Sequence, residues 1–149
     1  MVNAADFRHL ATHCFVIHPN INAEKRSFRD ANANIIESIG LARAIDLKVI
    51  HQEIINLAKP RPAAFLGQGS VDRLSTKIAC SNKEYFGEVI VIMDCTLTPI
   101  QQRNLERGLN CKVIDRTALI LEIFGARART KEGRLQVDLA ALTYQRSRL

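Results

Sequence analysis

Residues whose types and spacing could do chemistry fall in four places. Gly67-Gln68-Gly69-Ser70 stands between a short apolar run, Ala63 to Leu66, and a helical pattern. Glycines there let a phosphate approach the backbone N–H groups of a helix N-terminus through Gly67, Gly69 and Ser70. They equally suit a tight strand-to-helix turn that needs positive φ. Asp94 and Asp115 each end a predicted strand. Paired carboxylates at one sheet edge can hold a metal ion, but aspartate after a strand commonly caps the next helix, and capping is the reading adopted for both. Arg127-Ala128-Arg129-Thr130-Lys131 alternates basic and small residues. In a helix 127 and 131 share a face, which suits phosphate contacts to RNA; a solvated face neutralised by Glu132 fits the same spacing. His9, His13, Cys14 and His18 lie close together, but no matching ligand pair occurs elsewhere, so no metal site is expected. The G-x-x-x-x-G-K-[ST], G-x-S-x-G and H-E-x-x-H motifs are all missing, which leaves hydrolytic chemistry without its usual apparatus.

The elements that must position these residues alternate between two periods. Cys14 to Ile17 reads as a buried strand stopped by Pro19. Ser27 can cap a helix whose Phe28, Ile35, Ile39 and Ala42 share one face. A strand follows from Leu47 to Ile50 or on to Ile55, its apolar residues bunched as in a strand covered on both faces. Pro60 and Pro62 break the chain before the glycine turn and a helix carrying Val71, Leu74 and Ile78. Glu88 to Asp94, with five apolar residues in a row, predicts a central strand. Thr98-Pro99-Ile100-Gln101 predicts a capping box with proline at the first helical position, opening a helix to about Leu109. Lys112 to Asp115 is a further short strand, and from Thr117 the pattern is helical nearly to the end, with a break at Gly133. Strand and helix alternation implies an α/β fold, a small parallel sheet flanked by helices. The terminal helix carries an apolar stripe of Leu135, Leu139 and Leu142 beside Val137, Ala141 and Tyr144, wide enough to want a partner. A homodimer through that helix is one way to cover it.

Composition narrows the class of partner. The chain has 149 residues, 5% aromatic with no tryptophan, too few for a base-stacking platform. Its net charge is +6, and from Arg116 onward seven basic residues against three acidic ones account for +4 of it. Such a surplus favours polyanions, since neutralising phosphates releases counterions. The four cysteines form no C-x-x-C pair and have apolar flanks, the pattern of buried, reduced thiols in a cytoplasmic protein. No apolar run is long enough for a signal peptide or a membrane span.

Three runs resemble the N-terminal domain of the HflX family of ribosome-associated GTPases. They are Leu97-Thr98-Pro99-Ile100-Gln101-Gln102-Arg103-Asn104-Leu105-Glu106, the stretch from Val113-Ile114-Asp115-Arg116-Thr117 to Phe124, and Arg127 through Ala140. Phe65-Leu66-Gly67-Gln68-Gly69-Ser70-Val71 is similar to the family's Gly-x-Gly-Lys turn, with Ser70 where the family has lysine. Gly125-Ala126-Arg127 stands where the family often reads Ala-Gln-Arg, and glycine inside a helix costs about 1 kcal/mol and invites a kink. The resemblance implies an α/β subdomain over 1–115 and the start of a helical subdomain over 116–149. It also implies that GTP and magnesium belong to a separate GTPase domain, so that this stretch needs no cofactor and catalyses nothing. The implied partners are the large ribosomal subunit and ribosomal RNA, met by Arg116, Arg127, Arg129, Lys131 and Arg134. An independent ATP- or GTP-binding module using the Gly67–Gly69 turn, and a pure dimerisation domain, are the alternatives.

Overall fold

The computed structural model describes residues 13–21, 28–85 and 87–128. Four strands, β1 (His13–Ile21), β2 (Lys48–Leu57), β3 (Val89–Met93) and β4 (Val113–Asp115), alternate with four helices. These are α1 (Phe28–Arg43), α2 (Gln68–Tyr85), α3 (Pro99–Leu109) and α4 (Arg116–Ala128). All strand pairs are parallel and the order across the sheet is β2-β1-β3-β4. The α/β fold with a small parallel sheet is therefore as expected.

Strand alternation divides the core between two faces. Phe15, Ile17, Val91 and Met93 meet Val71, Leu74 and Ile78 of α2 and Leu105 and Leu109 of α3. Cys14, Val16, Ile90 and Ile92 meet Ile35 and Ile39 of α1 and Leu119 and Ile123 of α4. The reversal after β2, where the chain crosses back past β1 to place β3, puts a topological switch point between β1 and β3. In open α/β sheets ligands bind outside the carboxyl ends of strands at such a reversal.

Two strand expectations change. β1 runs through Pro19 to Ile21 instead of stopping there. The Asp94 N–H donates to the Ile17 carbonyl, so Pro19, two residues on, faces the same side just where β3 has ended. Its missing N–H breaks no ladder there. β2 extends to Leu57 and is an edge strand, only partly buried along most of its length, yet covered on both faces as expected: Ile50, Ile55 and Leu57 pack into one core and Val49 and Ile54 into the other. With one strand neighbour only, it leaves Lys48, Gln52 and Asn56 exposed. The capping box forms as predicted: Thr98 Oγ1 accepts from the Gln101 N–H at 3.1 Å, and Gln101 Oε1 accepts from the Thr98 N–H at 3.0 Å. α4 passes through Gly125 as continuous helix. Ser27, His9 and the stripe from Leu135 to Tyr144 lie outside the described residues. Among the described residues no helix is long and apolar enough to cross a membrane.

Candidate functional site

The switch point holds a buried ionic cluster. His18 falls on the same face of β1 as Cys14 and Val16, and Asp94 extends the parity of Ile90 and Ile92 one step past β3. His18 Nδ1 lies 2.9 Å from Asp94 Oδ2, and the Asp94 side chain is wholly buried. Arg116, the first residue of α4, brings a guanidinium nitrogen to 3.6 Å from Asp94 Oδ1 and another to 3.2 Å from Glu37 of α1. The Ser38 hydroxyl faces Asp94 without a well-formed hydrogen bond. Burial pushes the Asp94 carboxyl up, but His18, Ser38 and the Arg116 charge outweigh it and hold the group below the usual carboxylate range. Asn20 continues the polar face of β1 and donates to Asn56 Oδ1 of β2 at 3.1 Å. His18 Nε2 and Asn20 Oδ1 are buried without a hydrogen-bond partner. The cluster ties β1, β3, α1 and α4 together at one edge.

This corrects the reading of Asp94 as a helix cap: α3 is capped by Thr98, and Asp94 is an ion-pair hub. Asp115 is a cap as expected, with Oδ1 accepting from the Ala118 N–H at 3.0 Å and Oδ2 accepting from the Leu97 N–H at 3.2 Å. His18 was visible in the sequence only as a neighbour of other histidines; its parity with Cys14 and Val16 was the usable signal.

Beside this edge, the connection from β2 to α2 is held to α3. Arg61 and Phe65 exchange both backbone hydrogen bonds, at 3.0 and 3.1 Å, around a tight turn that puts Phe65 in the left-handed region with φ 67°. Gln101 Nε2 donates to the Arg61 carbonyl and Asn104 Nδ2 to the Ala63 carbonyl, both at 2.8 Å. The family-like Thr-Pro-x-Gln-Gln-x-Asn run thus caps its own helix and clamps this loop. Ala63 to Leu66 is accordingly a turn and not a sheet strand. The glycine turn also differs from expectation. No glycine among the described residues has positive φ, and α2 already begins at Gln68, so Gly69 and Ser70 sit in its first turn. The Arg61 guanidinium lies over Gly67, where an added Cβ would make only ordinary contact with it, 3.4 Å from Nε.

The basic candidates do not form one patch. Arg116 is engaged at the switch point, while Arg127 is exposed roughly 16 Å along the axis of α4. Arg129, Lys131 and Arg134 lie outside the described residues. Among the described residues no group of His, Cys, Asp and Glu could hold a metal ion. Burial pushes the thiols of Cys14, Cys95 and Cys111 up to about 12, so they stay protonated at neutral pH. The expectation of four buried thiols holds fully for Cys14 only: Cys95 and Cys111 are partly buried, and Cys80 is exposed on α2.

A family model described as GTP-binding GTPase N-terminal matches residues 32–125. A GTPase HflX of Magnetococcus marinus is 45% identical over 127 residues, which are 85% of this chain and 28% of that protein. GTPase HflX of Escherichia coli is 46% identical over 90 residues, 60% of this chain and 20% of that protein. The chain thus spans under a third of the length of these curated relatives. The crystal structure of a GTP-binding protein from Sulfolobus solfataricus in complex with GDP superposes with a TM-score of 0.60 at 21% identity, over 90% of this chain and 37% of that one. That likeness is one of fold.

Proposed function

The chain belongs to the HflX family, in the N-terminal domain of its GTPases, and on that premise we propose that it docks on the large ribosomal subunit through phosphate contacts to ribosomal RNA. The observation that carries this reading is the charge distribution, with +4 of the net +6 lying from Arg116 onward. Arg127 opens that stretch on the exposed side of α4, ahead of Arg129, Lys131 and Arg134. Arg116 is better read as a positioning residue, since Asp94 and Glu37 already engage its guanidinium. GTP and magnesium belong, in this reading, to a separate domain of the parent family.

Two measurements test it. Replacing Arg127 and Lys131 with glutamine is expected to flatten the slope of log K against log salt for binding to large subunits by roughly 1 to 2 units. An unchanged slope would remove these residues from the phosphate contacts. The purified chain is expected to hydrolyse GTP no faster than buffer, because it has no lysine-bearing phosphate loop. Turnover that survives repurification and follows the protein peak would contradict that.

A further inference from the structure

We propose that the clamped loop from Lys59 to Ala63 is a second RNA-docking element, gripping phosphates with Lys59 and Arg61. The proposal takes its partner class from the reading above but does not depend on the basic stretch after Arg127. All five residues of the loop are exposed, and among the described residues neither Lys59 nor Arg61 enters an ion pair. The loop is nonetheless held rigidly. Its carbonyls at Arg61 and Ala63 accept from Gln101 and Asn104, and Arg61 and Phe65 bond each other's backbone. Pro60 and Pro62 fix φ on either side of Arg61.

A rigid exposed loop loses little entropy on binding, so the clamp works as preorganisation. The loop packs on the first turns of α3, the positive end of that helix, and α3 has no acidic residue in its first turn to offset the field. Two cations two residues apart, separated by Pro60 and followed by Pro62, suit neighbouring phosphates of one strand. The planar guanidinium of Arg61 can make the paired hydrogen bonds that phosphate accepts. Ile100, 62% exposed at the start of α3 and next in sequence to the Gln101 that holds the Arg61 carbonyl, offers an apolar surface to the same strand. An RNA strand uses all three features, whereas a free nucleotide needs an enclosed cradle that this exposed loop does not make.

The test measures binding of the full chain to large ribosomal subunits and to free ribosomal RNA over a range of salt. Lys59→Gln with Arg61→Gln is expected to flatten the log–log slope by about 1.4 to 1.8 units. Lys59→Gln alone, which leaves the guanidinium over Gly67 in place, should give half of that. Asn104→Ala, which removes one of the loop's holds, the bond to the Ala63 carbonyl, without changing charge, is expected to weaken binding about three- to tenfold at constant slope. An unchanged slope in the loop variants, with Arg127→Gln plus Lys131→Gln still flattening it, would overturn this proposal and leave the docking reading standing. Loop-dependent binding to free RNA but not to subunits would support the loop and sink the docking reading. Full competition by ATP, or by polyglutamate as effectively as by RNA, would overturn the proposal in favour of a nucleotide or an acidic protein.

Discussion

Replacing Asp94 with alanine is expected to destabilise the fold by about 3 kcal/mol, the lower end of the range for breaking a buried ion pair. The Asp94 side chain is wholly buried and contacts both His18 and Arg116. Its removal leaves His18 Nδ1 without its acceptor in a place where Nε2 already lacks a partner. Arg116 suffers less, because it is partly exposed and keeps Glu37; that relief is why the lower end applies. Asp94→Asn keeps the volume and an acceptor for the imidazole, so a smaller loss is expected, on the order of 1–2 kcal/mol.

The pH dependence has a definite sign. The folded Asp94 carboxyl is held below its ordinary value, near 3.9 for an unperturbed aspartate. Its contribution is therefore fully present above about pH 4 and is lost as pH falls through the lower, folded value. Urea unfolding of the native chain and Asp94→Asn at pH 7 and at progressively lower pH checks both points. The gap between the two proteins should narrow in acid. A deficit under about 1 kcal/mol for Asp94→Ala at pH 7, or a gap that does not change with acid, would refute the hub.

What the sequence disclosed and what it withheld follow from the range of the interactions involved. The Thr98 capping box is written within four residues and formed as read. Val71, Leu74 and Ile78, spaced for one helix face, are all buried. The five-residue apolar run of β3 is the strand between β1 and β4. Sequence reading failed where a partner arrives from far along the chain. His18 meets Asp94 across 76 positions, and no local pattern marks that pair. The bunched apolar residues of β2 correctly implied cover on both faces, but its place at the sheet's edge is decided by strand order, which periodicity does not encode. The glycines of the 67–70 turn suggested positive φ, whereas the left-handed residue is Phe65, held by the Arg61 bridge and buried.

Gly108 raises a conflict between local and tertiary preference, and the expected result is that the tertiary one wins. It sits in the last turn of α3, where any other ordinary residue favours the helix by up to about 1 kcal/mol. A Cβ added there would stand 2.7 Å from Val71 Cγ1 on α2, closer than real Cβ contacts come. Val71 is buried and β-branched, so its side chain has few rotamers into which it can retreat. Gly108→Val, with two further carbons at the same place, is expected to cost about 2–3 kcal/mol, the upper part of the overpacking range. Gly108→Ala should fall nearer zero, its helix gain offsetting part of the clash. The decisive measurement is a double-mutant cycle with Val71→Ala, which empties the space the new side chain needs. In that background Gly108→Val should cost less than 1 kcal/mol, a coupling of roughly 1–2 kcal/mol. The same contact bears on function, because α3 carries Gln101 and Asn104, which clamp the Arg61–Ala63 segment, and α2 receives the chain just beyond it. Spreading α2 from α3 should loosen that segment, so Gly108→Val should weaken RNA binding in the manner of Asn104→Ala, and Val71→Ala should restore it. Additive stabilities would show that Val71 and Gly108 do not set the helix spacing, whatever happened to binding.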